Sequence, residues 1–134
     1  MAIQTGIVGA GSVEAYENNF IRRHELTRFD KETDRVKQII AVNAQTGPVF
    51  TTHKYDIQLS NLIDEISAGE PAYSVTNAGG GVHTLWVVNK ERVIKSIAEC
   101  FQKIGVIYIA DGHHRSAAAS RVASERKKSK ILKN

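Results

Sequence analysis

Residues 106–119 have the sequence VIYIADGHHRSAAA, and this stretch decides the fold. The apolar run at 106–110 is continuous, which is typical of a central strand covered on both faces by other elements. The alanine-rich segment at 116–124 predicts a helix, because alanine has the highest helix propensity. Between the two lies a polar turn formed by Asp111, Gly112, His113, His114 and Arg115. The stretch therefore predicts a buried strand, a tight turn and a helix.

The rest of the chain supplies further helices and strands around this unit. Apolar residues at helical spacing predict amphipathic helices at 31–43, 59–66 and 90–103, and Asp30 is predicted to cap the first of them. Patterns rich in β-branched and aromatic residues predict strands at 49–53, 72–76 and 82–88, and the last two are expected to pair antiparallel. The predicted fold class is α/β, with a mixed β-sheet and flanking helices.

Length and composition favour one domain followed by a short tail. The chain has 134 residues and 42% hydrophobic content, enough for one core, so we expect a single α/β domain over 1–125. The net charge of +4 is concentrated at the end, where we expect residues 126–134 to form a basic, disordered tail. Nucleic-acid binding through this tail and Arg22-Arg23 ranks lowest among the possible functions. The sequence shows neither a helix-turn-helix nor an aromatic stacking platform.

Cysteine content and hydropathy limit the site types and the location. Cys100 is the only cysteine, which excludes an internal disulfide and leaves too few thiolates for a structural zinc site. No apolar run approaches the roughly 20 residues that a membrane-spanning helix requires. The first residues also lack a basic segment followed by a long apolar one. We therefore expect a cytoplasmic protein that does not associate with membranes.

The polar turn at 111–115 contains residue types that bind anions. Open α/β sheets bind ligands at the carboxyl ends of their strands, and the free amides at a helix start favour an anion there. Arg115 can add a bidentate contact to a phosphate. His113 or His114 could donate a hydrogen bond or move a proton, while Asp111 could hold a histidine tautomer or a divalent ion. The alternative is that Asp111 merely caps the helix and that its neighbours are solvated first-turn residues.

Three blocks of sequence together carry a resemblance to a known family. They are IADGHHRSAAA at 109–119, IRRHELTR at 21–28 and GPVF at 47–50. In this order they resemble the uncharacterised conserved family called domain of unknown function 1015, over nearly the whole chain. Members of that family are considerably longer, so this chain resembles an internal piece or a shortened relative. The resemblance favours a second half of the site in the IRRHELTR block, with His24, Glu25 and Arg28 as candidates.

A second resemblance is local. A strand, an Asp-Gly-His-X-Arg turn and a helix are similar to the nucleotide-phosphate site of the ParB and sulfiredoxin superfamily, which includes partition-protein CTPases and a free-serine kinase. This resemblance implies that Gly112, His113 and Arg115 contact phosphate and that Asp111 lies near the reacting group or its metal. Sulfiredoxins have a reactive cysteine in this turn, and this chain has none there. Cys100 is expected to be a small packed residue instead, so sulfinic-acid reduction is not expected.

The sequence leaves two hypotheses for the function. The first is nucleotide-dependent phosphoryl transfer or hydrolysis, with Mg²⁺ and a nucleoside phosphate as cofactors. The second is a noncatalytic module that senses a nucleotide or another anion. The expected partner is a phosphate-bearing small molecule. The candidate catalytic residues are Asp111, His113, His114 and Glu25, the candidate ligand-binding residues are Gly112, His113, Arg115, His24 and Arg28, and the candidate metal ligand is Asp111.

Overall fold

The computed structural model describes residues 3–131. Its elements in chain order are α1 (Val13–Glu17), β1 (Ile21–Arg22), α2 (Phe29–Val42), β2 (Phe50–His53), α3 (Ile57–Ser67), β3 (Tyr73–Thr76), β4 (Val82–Leu85), α4 (Glu91–Ile104), β5 (Ile107–Asp111) and α5 (His113–Ile131). The predicted α/β class is confirmed. Among the described residues, no helix combines the length and the apolar character needed to cross a membrane.

Backbone contacts divide the chain into two compact units. One contains residues 3–9 and 55–105 of the described chain, and the other contains residues 10–54 and 106–131. The second unit, called here the sheet unit, holds β1, β2, β5 and the helices α1, α2 and α5. The predicted site residues all fall in the sheet unit. The single domain expected over 1–125 stays a prediction.

The sheet unit is built around a mixed three-stranded sheet. β5 is the central strand, lying between β1 and β2. It runs parallel to β1, with Ile21 opposite Ile107, and antiparallel to β2, with Thr51 opposite Ile109. This confirms the mixed sheet and places the carboxyl end of β5 beside the start of β2, where Phe50 pairs with Asp111.

The central strand is covered on one face only, which corrects the prediction of burial on both faces. Ile109 is 1% exposed, whereas Tyr108 is 38% exposed and Ala110 is also exposed. Because alternate side chains point to opposite faces of a strand, only the face with Ile107 and Ile109 is packed. The continuous apolar run was therefore not a sign of two covered faces in the described structure.

The helices α2 and α5 pack on each other and form the main core of the sheet unit. Val36 of α2 lies against Ala118 and Val122 of α5, and Ile39 packs beside them. Ala118 is completely buried. The alanines predicted to favour a helix thus also permit close approach of α2, because their side chains are small.

The start of α2 differs from the prediction, whereas its end agrees with the prediction to within one residue. The helix begins at Phe29 with Arg28 in the N-cap position and no side-chain cap, so Asp30 is a first-turn residue and not the cap. It ends at Val42, where Asn43 adopts a left-handed conformation with φ of 51°. Asparagine tolerates this conformation better than most residues, so the helix can end at this position.

α5 is longer than predicted at both ends. It begins at His113, three residues before the predicted start, and continues to Ile131. Residues 126–131, which the sequence assigned to a disordered tail, are helical, and the Arg126 Nη2 atom donates a hydrogen bond to Asn43 Oδ1 at 2.7 Å. Lysine, arginine and serine carry little or moderate helix penalty, so a basic composition does not end a helix. Residues 132–134 of that tail lie outside the described residues.

The other unit contains α3, the β3–β4 hairpin and α4. The two strands pair antiparallel, as predicted, although β4 ends at Leu85. Asn77 orders the loop between them, because its side-chain oxygen accepts hydrogen bonds from the amides of Gly79 and Gly81. Leu59 of α3 is 1% exposed and Cys100 of α4 is 4% exposed. The predicted packed role of Cys100 is confirmed.

Candidate functional site

The turn between β5 and α5 depends on one glycine. β5 ends at Asp111, and α5 begins two residues later at His113. Gly112 between them has a φ of +99°, which residues with a Cβ rarely adopt. A Cβ on Gly112 would also lie 3.0 Å from Nε of Arg115. The sharp turn places His113, His114 and Arg115 in the first turn of α5.

Arg115 is held in a defined position by its surroundings. Its Nη2 atom contacts Oδ2 of Asp111 at 2.5 Å, an ion pair across one turn. A Cβ built on Gly47 would lie 3.0 Å from Nη1 of Arg115, so this glycine lets the loop before β2 approach the guanidinium closely. Gln45 in the same loop donates a hydrogen bond to the Arg115 carbonyl oxygen at 3.4 Å. Two glycines and a carboxylate therefore limit the freedom of this side chain.

Gly47 was not predicted as a site residue. It lies in GPVF at 47–50, which was one of the three blocks that carry the family resemblance and had no predicted role in the site. A glycine followed by proline predicts a turn, but this pattern does not reveal which side chain passes close to the turn. The family resemblance was the one signal that pointed to this position.

His113 is the buried histidine of the turn. Its side chain is 5% exposed, and its Nδ1 atom lies 3.6 Å from Oε2 of Glu25. The His24 ring stands edge-on to the His113 ring, with centroids 4.5 Å apart. The Nε2 atom is enclosed and has no hydrogen-bond partner among the described residues. An unpaired buried nitrogen is costly and is seldom retained without a reason.

His114 connects the turn to the IRRHELTR block. Its Nε2 atom accepts a hydrogen bond from the backbone amide of Arg28 at 3.2 Å. An accepting Nε2 requires a neutral imidazole with its proton on Nδ1. This contact and the Glu25–His113 contact place the IRRHELTR block beside the turn at 111–115. The two parts of the sequence that were expected to form the site are therefore neighbours.

Arg28 itself is directed elsewhere. Its guanidinium contacts the Asp30 carboxylate, with Nη2 to Oδ2 at 2.8 Å and Nε to Oδ1 at 3.2 Å. The hydrogen bond from Arg28 lowers the pKa of Asp30 below its ordinary value of 3.8, and its positive charge adds to that effect. Arg28 therefore contributes its backbone amide to the site geometry, while its charge is paired with Asp30.

A cleft of about 630 Å³ opens beside the turn. This is within the range of small-molecule pockets. One wall consists of Glu25 and the turn, a second consists of the loop with Gln45, Thr46 and Gly47, and a third is α2. The α2 residues that line it are Lys31, Asp34, Arg35, Gln38 and Ile39. His24 and Arg28 are close to the turn but do not line the cleft.

The α2 wall was missed by the sequence analysis, although a signal was present. Residues 31, 34, 35 and 38 have the spacing of one helix face, and all four are polar. A polar helix face is usually solvated, so the pattern alone does not identify a cleft. The cleft contains three cations, Lys31, Arg35 and Arg115, and three carboxylates, Glu25, Asp34 and Asp111. Its formal charge is balanced, so local pairing decides what it can bind.

Asp111, the predicted metal ligand, does not belong to a cluster of metal-binding side chains among the described residues. Among residues 3–131, no group of three histidine, cysteine, aspartate or glutamate side chains is arranged to hold a metal ion. The Asp111 carboxylate is instead paired with Arg115. Mg²⁺ in proteins often uses only one or two carboxylates together with ligand phosphates. Magnesium binding at Asp111 therefore stays a prediction that depends on a phosphate ligand.

Fold and site together define an α/β protein with a ligand-sized cleft at the carboxyl end of its central strand. The chain belongs to the family described as protein of unknown function (DUF1015), whose model matches residues 1–134. The family prediction is thereby confirmed. No curated protein and no solved structure matches the chain. The local resemblance to the ParB and sulfiredoxin superfamily stays a prediction.

Proposed function

We propose that the cleft binds a phosphate-bearing small molecule, in the first instance a nucleoside phosphate, and that His113 serves as a proton-transfer group in its phosphoryl transfer or hydrolysis. The observation that carries this proposal is the state of His113. It is 5% exposed, lines the cleft, faces Glu25 and has an Nε2 atom without a partner among the described residues. A ligand donor that reaches the enclosed Nε2 atom after a small shift of the His113 ring or of the residues covering it would remove the cost of that unpaired atom.

The phosphate would be held by Arg115 and the start of α5. No side chain of the described residues accepts a hydrogen bond from the backbone amides of His113, His114 or Arg115. Such amides, with the positive end of the helix dipole, favour anions. Arg115 adds a permanent charge with two parallel donors. Positioning by Gly47 and Gly112 reduces the entropy that binding would otherwise cost.

The proton-transfer role follows from the Glu25–His113 pair. When the proton of neutral His113 is on Nδ1, facing the Glu25 carboxylate, Nε2 carries a lone pair and can accept a proton. The carboxylate then stabilises the imidazolium that forms. A substrate hydroxyl or a water molecule at Nε2 would be the proton donor. Glu25 would thus orient His113 and balance its charge.

Calorimetric titration tests the binding half of this proposal. The protein is titrated with inorganic phosphate, ATP, ADP and CTP, each with and without Mg²⁺, and compared with Arg115→Ala. Loss of a charged hydrogen-bond donor predicts affinity weaker by about tenfold to a hundredfold. Arg92→Ala is the matched control, because Arg92 is exposed on α4 and lines no described cleft. If none of the ligands binds to the unaltered protein, the proposal fails.

The catalytic half requires a separate measurement. Release of phosphate or transfer to an acceptor is assayed with ATP and CTP for the unaltered protein, His113→Gln and Glu25→Gln. Removal of a general base predicts turnover lower by about a hundredfold or more, with ligand affinity changed much less. Tight binding without turnover would instead support the noncatalytic sensing module. The His114–Arg28 hydrogen bond favours this second candidate, because it links the ligand turn directly to the loop at 23–28.

A further inference from the structure

Any anion that binds to Arg115 must compete with the Asp111 carboxylate, which is already paired with it. The two side chains are 2.5 Å apart, so the guanidinium already holds a carboxylate. We infer that Asp111 is a specificity-determining residue: it competes for Arg115 as an internal anion, so the cleft admits phosphoryl groups and excludes ligands whose only anionic group is a carboxylate. This inference rests on the proposed phosphate-binding function.

The structure indicates which member of the pair moves when a ligand arrives. Arg115 is 30% exposed and is confined by Gly47 and Gly112, whereas the Asp111 side chain is 75% exposed. No other residue of the described chain forms a hydrogen bond or an ion pair with the Asp111 carboxylate. Displacing the carboxylate into water therefore disturbs less of the structure than displacing the guanidinium.

The oxygen count of the ligand decides whether displacement is favourable. A ligand carboxylate has two oxygens, as Asp111 does, so at Arg115 it replaces one carboxylate by another and gains little. A terminal phosphoryl group has a third oxygen, which remains for the amides at the start of α5. Only the phosphoryl group thus gains contacts that Asp111 does not already make.

A competing role and a supporting role of Asp111 predict opposite changes in anion affinity when its charge is removed. If Asp111 competes with the ligand, removing its charge strengthens anion binding. If Asp111 instead oriented the ligand or held a metal that the ligand needs, the same change would weaken binding. The two roles are separated by a single variant measured in the absence of divalent metal.

The test compares Asp111→Asn with the unaltered protein by calorimetric titration of inorganic phosphate and of acetate, both with a chelator present. We expect phosphate affinity about twofold to fivefold higher in Asp111→Asn, as for release of a partly exposed ion pair, and acetate binding that becomes measurable only in the variant. Asp111→Glu, which keeps the charge, should remain near the unaltered protein. Asp64→Asn removes one exposed carboxylate on α3 and controls for net charge.

The outcomes separate this inference from the proposed function. Phosphate binding by the unaltered protein that is unchanged or weaker in Asp111→Asn overturns the inference and leaves the proposed function standing. An equal gain in Asp64→Asn would also overturn it, because the effect would then come from net charge. Absence of phosphate binding in both the unaltered protein and Asp111→Asn overturns the proposed function and the inference together. Circular dichroism of each variant confirms that the helices are retained.

Discussion

The start of α3 and the start of α5 use an aspartate in different ways. Asp56 immediately precedes α3, and its Oδ1 atom accepts a hydrogen bond from the amide of Leu59 at 2.8 Å. Asp111 precedes α5 by two residues, because Gly112 lies between them. Its carboxylate contacts Arg115 and none of the first-turn amides. The alternative in which Asp111 merely caps α5 is therefore wrong.

This difference shows that the same residue type caps one helix and leaves the start of the other without a side-chain cap. A side-chain cap satisfies amide donors that would otherwise have no partner, and it stabilises the helix. At α5 the glycine in the cap position has no side chain to offer. No described side chain caps the first-turn amides, so the helix lacks the stabilisation that a cap would give, and in our proposal an external anion accepts hydrogen bonds from these amides. The proposed phosphate site thus depends on leaving out a common stabilising contact.

Among the substitutions that test this comparison, Gly112→Ala should have the largest effect on stability and on phosphate binding. The φ of +99° is strained for alanine, and the added Cβ would lie 3.0 Å from Nε of Arg115. We expect a loss of about 1–3 kcal/mol in the free energy of unfolding, together with weaker phosphate binding. Urea denaturation followed by circular dichroism measures the first, and calorimetric titration measures the second.

Gly47→Ala separates the two consequences of Gly112→Ala. Gly47 does not have a φ in the left-handed region, but its added Cβ would lie 3.0 Å from Nη1 of Arg115. It should therefore disturb the guanidinium with a smaller loss of stability. If Gly112→Ala were as stable as the unaltered protein, the turn would not depend on its positive φ. Gly9→Ala is the control for glycine replacement, since no atom lies within 4 Å of its added Cβ.

Asp56→Ala should have an intermediate effect, confined to stability. Loss of the cap leaves the Leu59 amide without its side-chain partner, and Leu59 is 1% exposed. The expected loss is about 1 kcal/mol in the free energy of unfolding. Asp56→Asn should retain most of the stability, because asparagine caps helices about as well as aspartate. An equal loss in both variants would show that charge, and not capping, is what Asp56 supplies. Phosphate binding should be unchanged in either variant.

Helices and strands were predicted correctly from the sequence where the local residue pattern matches the way the element packs in the structure. α4 has a strong apolar stripe and a glycine at its end, and its bounds differ from the prediction by one residue. The turn at 111–115 was predicted as the centre of a site because its residue types are rarely needed together for folding. His24 and Glu25 were added through a family resemblance, and the structure places both beside His113.

Features that depend on contacts between distant residues were not predictable. The approach of Gly47 to Arg115 and the α2 wall of the cleft arise from tertiary packing, which leaves no periodic pattern in the sequence. The exposure of one face of β5 has the same origin, because an apolar run does not show how many layers cover a strand. The cap of α2 was misassigned because Asp30 is a common cap residue whose carboxylate here pairs with Arg28.

The start of α2 extends the comparison to a third case, with the smallest expected effect. Arg28 in the N-cap position provides no side-chain cap, and Asp30 in the first turn is paired with it. Since the hydrogen bond from Arg28 lowers the pKa of Asp30 below 3.8, pairing favours the charged carboxylate. The stability that this pair contributes is present above the ordinary pKa and is lost as the pH falls through the lowered value. The contribution is small because both side chains are largely exposed to water.

An NMR titration of the Asp30 carboxyl carbon should give a midpoint below 3.8 that rises in Arg28→Gln. An unchanged midpoint in that variant would show that Arg28 does not cause the shift, and Asp30 would then be a first-turn carboxylate stabilised by the helix dipole alone.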